Sequence, residues 1–235
     1  MFRLHTGLFG GMILLGMVAC TGPAPGGKQT GTPDPRPSAP SPDTIDLPEP
    51  RRRGALSLEE ALAHRRSVRA FTPEPVSLGE LLQLLWAAQG ITADWGGRTA
   101  PSPGACYSLE VYAATPDGLY HYVPEGHRAE VRSSADLRAE LAAAAHDQDC
   151  VGGAPVVFAI AAVVARTAAK YGDRAERYVT LEAGHAAQNV LLQAVVLDLA
   201  AVPAGAFDDG QVARVLALPP DEDPLYLIPV GHPGN

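Results

Sequence analysis

The sequence predicts one domain of mixed helices and strands, carried behind a targeting segment and a tether. Three observations carry this. Two Ser-x-x-Glu capping boxes, at Ser57 and Ser77, each open an amphipathic helix. Residues 108–123 read as a hairpin, and residues 154–165 are an almost unbroken Val- and Ile-rich run suited to a buried strand. Residues 174–199 form one long helical stretch. A chain of 235 residues has room for one such domain plus a tail.

In chain order, residues 1–19 read as a signal peptide. A short polar start with Arg3 and His5 precedes an apolar run over residues 8–18, too short to span a bilayer comfortably. The run ends Met17-Val18-Ala19-Cys20, followed by Thr21-Gly22-Pro23, which resembles a bacterial lipobox. Met17 is a less usual choice there. Cleavage would leave Cys20 as the lipid-bearing N-terminus, anchored to the bacterial cell envelope by the general secretory route. Residues 20–50 are then a tether, with nine prolines after Cys20 and almost no large apolar residue before Ile45. Such a segment buries too little surface to offset chain entropy, and its prolines keep it extended. The folded domain is expected over residues 51–235.

Ser57-Leu58-Glu59-Glu60 starts a short helix into Arg65, and Ser77-Leu78-Gly79-Glu80 starts a second that Gly90 closes. Its apolar face is Leu78, Leu81, Leu82, Leu85 and Ala88. Residues 94–104 are a Gly- and Pro-rich loop, small enough for a flat ligand to approach the backbone. Residues 108–115 and 119–123 are strands joined at Asp117-Gly118. Residues 135–145 read as a helix. Within the long helical stretch, Leu181, Val190, Leu191, Ala194, Val195 and Leu197 are candidates for burial. Residues 202–207 are a small-residue strand and loop, 208–216 a short helix, and 225–230 the last strand. Cys106 and Cys150 either pair as a disulfide or stay as two buried thiols.

The chemistry gathers first at Arg65-Arg66-Ser67-Val68-Arg69-Ala70-Phe71. Guanidinium forks beside a hydroxyl suit a phosphate dianion, since each fork donates two parallel charge-assisted hydrogen bonds. The other reading is a solvated basic turn. A net charge of −8, sparse aromatics and no basic stripe beyond Arg51–Arg53 and Arg65–Arg69 argue against a nucleic-acid partner. The seven His have no metal-ligand spacing and no Cys-x-x-Cys pair exists, so no metal site is expected. There is no Gly-x-Ser-x-Gly elbow and no Walker loop.

Read together, several segments resemble the FMN-dependent nitroreductase superfamily, in the branch of the SagB/ThcOx-type dehydrogenases that includes azoline oxidases. They are residues 65–71; Arg98-Thr99-Ala100-Pro101-Ser102-Pro103-Gly104-Ala105; Leu109-Glu110-Val111-Tyr112; Lys170-Tyr171-Gly172; Glu182-Ala183-Gly184-His185-Ala186-Ala187-Gln188-Asn189; and Val202-Pro203-Ala204-Gly205-Ala206-Phe207. They occur in the family's order over residues 47–233. The resemblance implies an α+β fold with a central, mostly antiparallel sheet flanked by helices. It also implies a homodimer with FMN at the subunit interface.

Carried over residue by residue, Arg65 and Ser67 would hold the FMN phosphate, and Arg69 would lie near the pyrimidine edge, where a cation stabilises the reduced flavin. Arg66 has the weakest claim of the four. Pro101, Ser102, Pro103 and Gly104 would line the ring, and the backbone around Ala204, Gly205 and Ala206 would sit near N5. Gln188 and Asn189 are either cofactor contacts or structural polar residues of a buried helix. Lys170 and Tyr171 match the adjacent pair that removes a proton in the azoline oxidases. His185 reads as a packing or interface residue. One departure stands out: the C-terminus Gly231-His232-Pro233-Gly234-Asn235 lacks the phosphate cation of many relatives, leaving His232 as the only titratable side chain there. The expected activity is hydride transfer to or from a small molecule: a nitro compound, a quinone or an azoline-like heterocycle, with NAD(P)H a candidate reductant. The competing reading is a non-enzymatic envelope lipoprotein that keeps the fold as a ligand-binding or interaction module.

Overall fold

A computed structural model describes residues 43–234. Seven strands form one antiparallel sheet in the order β1-β4-β3-β2-β5-β7-β6. The strands are β1 (Thr44–Asp46), β2 (Leu109–Thr115), β3 (Gly118–Val123), β4 (Arg128–Ser133), β5 (Val156–Ala162), β6 (Ala200–Ala201) and β7 (Asp223–Gly231). The helices are α1 (Leu58–His64), α2 (Leu78–Gln89), α3 (Arg138–Ala144), α4 (Asp149–Gly152), α5 (Val164–Tyr171), α6 (Ala175–Val196) and α7 (Asp209–Val215).

β5 shows why the sheet is central. All seven of its residues are buried. Because side chains alternate across a strand, Val156, Phe158, Ile160 and Ala162 pack on the α2 and α6 side, while Val157, Ala159 and Ala161 pack on the α3, α4 and α7 side. A strand covered on both faces has no polar alternation, which is why it reads as one apolar run.

Both capping boxes form as expected. Ser57 Oγ accepts from Glu60 N–H at 3.1 Å and Glu60 Oε2 accepts from Ser57 N–H at 2.8 Å. Ser77 and Glu80 repeat the pattern at 3.3 and 2.8 Å. The β2–β3 turn requires glycine at its end: Gly118 has φ 140°, and a Cβ there would lie 2.2 Å from the Ser133 carbonyl of β4.

Several expectations are revised. Residues 44–46 fall in the expected tether, yet they pair with β4 through Thr44–Glu130, Ile45–Ala129 and Asp46–Arg128, and Leu47 packs against the core. β4 and α5 were not anticipated. β4 reads Arg-Ala-Glu-Val-Arg-Ser, with only two apolar residues to mark it, and α5 buries only Thr167. Leu78 and Leu181, expected in the core, are 59% and 52% exposed, and Val195 and Leu197 are half-buried. Cys106 and Cys150 are free thiols, the first half-buried and the second buried. No described helix is long and apolar enough to cross a membrane.

Candidate functional site

The basic stretch is an extended strip at the sheet edge. Arg65 caps α1, its N–H donating to Ala61 O at 3.0 Å. The chain then runs beside β6: Ser67 bridges Ala201 in parallel, and Val68 N–H donates to Ala201 O at 3.2 Å. Arg66 and Val68 share the wall of one cleft, and alternation along an extended segment would put Arg65, Ser67 and Arg69 on the opposite side. The side chains of Arg65, Ser67 and Arg69 have no hydrogen-bond or ion-pair partner among the described residues. Arg66 is occupied: its guanidinium donates to Ala63 O at 2.9 Å and Arg65 O at 2.8 Å, neutralising the carbonyl end of α1. It lines a separate cleft with Val68, Leu191 and Leu199. Arg66 is therefore a helix cap, and three side chains remain for an anion. The C-terminus lies against the same strip, with Thr72 N–H on His232 O and Gly234 N–H on Ala70 O, both 2.9 Å.

Beyond β6, Ala204 pairs with Leu227 in both directions, at 2.7 and 3.0 Å. Gly205 and Ala206 then emerge exposed, and their N–H groups have no partner among the described residues. Gln148 Nε2 anchors the loop on Ala206 O at 2.7 Å. A side chain on Gly205 would meet nothing closer than Tyr226 Cε1 at 4.0 Å, so the backbone there is open to a ligand. Two free donors and an open approach fit an N5 contact, and the unpartnered Arg65, Ser67 and Arg69 fit a phosphate-bearing flavin.

The Pro101-Ser102-Pro103-Gly104 loop and the Lys170-Tyr171 pair meet each other. Gly104 takes φ 60° in a single 3-10 turn, Pro103–Ala105. A Cβ on Gly104 would lie 2.6 Å from both Lys170 Nζ and Tyr171 Oη. Lys170 Nζ donates to Gly104 O at 3.4 Å. Tyr171 is braced edge-on by Tyr178, with ring centroids 5.1 Å apart. The last turn of α5 thus delivers both polar heads to the loop. Asn189 Nδ2 donates to Thr99 O at 3.2 Å, which fastens the start of this loop. Gln188 is half-buried and has no partner among the described residues.

Sequence reasoning missed Glu182 as a site residue. It is fully buried on α6, and Ser102 donates to its Oε2 at 2.7 Å. Burial pushes its carboxyl above the usual range; the Ser102 hydrogen bond and the Arg98 charge offset this only partly. The signal was available: Val179, Ala183, Ala186, Val190 and Ala194 set the buried stripe, and position 182 lies on it. A second missed cluster lies on the strands. His121 Nε2 bonds Glu110 Oε2 at 2.7 Å, and Glu110 also pairs with Arg166 of α5. Arg166 in turn donates to Tyr107 O at 3.1 Å, which ties the cluster to the loop.

A seven-stranded antiparallel sheet covered by helices on both faces is the α+β architecture of the nitroreductase fold. The nitroreductase family profile matches residues 62–232. A nitroreductase-family protein of Methanocaldococcus jannaschii is 43% identical over 183 residues, covering 75% of this chain and 91% of that protein. A nitroreductase-family crystal structure from Ralstonia eutropha JMP134 superposes with a TM-score of 0.74 at 35% identity, over 82% of this chain and 90% of that one. The NADPH:FMN oxidoreductase of Vibrio harveyi, solved with NAD+, shares the fold at a TM-score of 0.58 and 22% identity, over 76% and 69% of the two chains. The chain belongs to the nitroreductase family.

Proposed function

We propose that this protein is an FMN-dependent oxidoreductase of the SagB-type branch, acting on a small molecule as a homodimer. The observation that carries the reading is that Arg65, Ser67 and Arg69 have no side-chain partner among the described residues while Arg66 is engaged in capping α1. When bound, FMN supplies the hydride chemistry. Arg65 and Ser67 would hold its phosphate, and Arg69 would place a cation toward the ring. The backbone N–H groups of Gly205 and Ala206 would face the N5 side. Lys170 and Tyr171 hold the proton taken from the substrate carbon next to the hydride; an azoline-like heterocycle fits that pair best. The Vibrio harveyi enzyme is named for NADPH and FMN, which supports NAD(P)H as the reductant where the substrate is a nitro compound or a quinone; an azoline would itself reduce the flavin, and a separate electron acceptor such as dioxygen would then reoxidise it.

Dimer formation is supported by apolar side chains left outside on two packed helices: Leu58 and Leu62 of α1 are 61% and 53% exposed, and Leu181 of α6 is 52% exposed. Lipidation at Cys20, outside the described residues, places the domain in the envelope. The deciding measurement is the visible spectrum of the purified protein without its signal peptide. A yellow protein bleached by dithionite or NADPH is expected; a colourless one that takes up no added FMN overturns the reading and favours the non-enzymatic module.

A further inference from the structure

We infer that Glu182 is a positioning residue: held as a neutral acid, it latches the 101–107 loop through Ser102 and releases the loop when it ionises. Ser102 Oγ stands between two partners. It accepts from Tyr107 N–H at 2.8 Å and donates to Glu182 Oε2 at 2.7 Å. Its own carbonyl accepts from Ala105 N–H at 3.1 Å. One hydroxyl therefore closes the turn that carries Gly104, the residue on which Lys170 and Tyr171 converge.

The state of Glu182 follows from its surroundings. Its Oε1 is buried and has no hydrogen-bond partner among the described residues. A carboxylate oxygen left bare of water and donors is far more costly than a carboxylic acid in the same place. The charged groups facing it are two guanidiniums, and both have carboxylates of their own or neutral acceptors. Arg98 bonds Gln89 Oε1 and Glu125 Oε1 through its terminal nitrogens, both at 3.1 Å, and lies 4.5 Å over the Tyr107 ring, while its buried Nε has no hydrogen-bond partner among the described residues. Arg166 of α5 pairs with Glu110 and donates to Tyr107 O. Lys170, also on α5, reaches Gly104 O instead. From β2's approach, the Ser108 amide faces the carboxyl, but weakly. Burial prevails and the carboxyl is raised. The Ser102 bond by itself favours the ionised carboxyl, so any loss on ionisation comes from burial: the closed loop keeps a charged carboxyl with a bare Oε1 from solvent, and closure is therefore most favourable at low pH and weakens as pH rises through the raised value.

The proposal rests on the flavin reading only for what the loop serves; the latch belongs to the protein alone. The test is hydrogen–deuterium exchange of residues 102–107 in flavin-free protein, as protection factors across mildly acidic to mildly alkaline pH. The unsubstituted chain should lose about tenfold in protection as pH rises, equivalent to about 1.4 kcal/mol. E182Q, neutral at every pH with a carbonyl to accept from Ser102, should keep the acid-pH protection throughout. E182A and S102A should lack it throughout; if E182A fails to fold, S102A carries that arm. Protection that does not change with pH in the unsubstituted chain, or E182Q behaving like S102A, overturns the latch. A protein showing the expected pattern yet binding no FMN would sink the flavin reading and leave the latch standing.

Discussion

Gly104→Ala tests the meeting of loop and Lys-Tyr pair. The new Cβ would start 2.6 Å from Lys170 Nζ and Tyr171 Oη, against an ordinary contact of at least 3.4 Å, so each head must retreat by roughly 0.8 Å. Both atoms are at the ends of side chains, so the retreat itself costs little stability. The backbone cost is separate: an L-residue at φ 60° is strained by about 1–2 kcal/mol, which lowers Tm by a few degrees in a domain of this size. Function should suffer more, because a displacement near 1 Å at a reacting group costs up to about a hundredfold in rate. Thermal melts and steady-state turnover on an azoline or nitro surrogate separate the two effects. The decisive control is the cycle with Lys170→Ala. Once Lys170 is removed, the rate penalty of Gly104→Ala should shrink several-fold while the Tm penalty stays. A full rate penalty in the Lys170→Ala background would refute the argument that Gly104 matters through those side chains.

Three further outcomes follow from the geometry. Arg65→Ala should weaken FMN binding by about tenfold to a hundredfold, the range for a charged hydrogen bond; Arg66→Ala should leave FMN affinity nearly unchanged and lower Tm slightly, read by flavin fluorescence titration and melts. Burial pushes the Glu110 carboxyl up, but hydrogen bonds from His121 and Arg166 prevail and hold it below its ordinary 4.5, so its contribution is complete above that value and lost as pH falls through the lowered one. Glu110→Gln should flatten the acid limb of stability against pH in urea melts, and an unchanged limb would show the cluster is not coupled to folding. Leu62→Glu puts a charge on the exposed face of α1 and should shift the protein from dimer to monomer in sedimentation velocity, without loss of helical circular dichroism.

What was legible in the sequence was local. The capping boxes at Ser57 and Ser77 depend on residues three apart, so they read directly and form as expected. β5 was visible because burial on both faces leaves an uninterrupted apolar run. The trio Arg65, Ser67 and Arg69 was separable from Arg66 only in outline: the family pattern ranked Arg66 last, but its bonds to Ala63 O and Arg65 O depend on how the chain leaves α1. Leu78 and Leu181 have the right period for a core and lie outside it, because periodicity places a residue on a helix face but does not say which neighbours cover that face.

The sequence by itself determined the elements whose signals lie within a helical turn or a strand pair, the family, and the residue types offered to a phosphate and a flavin. Tertiary structure alone decided which of them converge. Lys170 and Gly104 are 66 residues apart, and Ser102 and Glu182 are 80 apart. No local pattern encodes a contact of that separation. It exists because β2 and β5 pair side by side, which places α5 over the start of β2, and because α6 packs its buried stripe against the same loop. The protonation of Glu182 is of the same kind: a glutamate is acidic by its chemistry, and it becomes a retained proton only when the fold removes water and assigns the nearby guanidiniums to other partners.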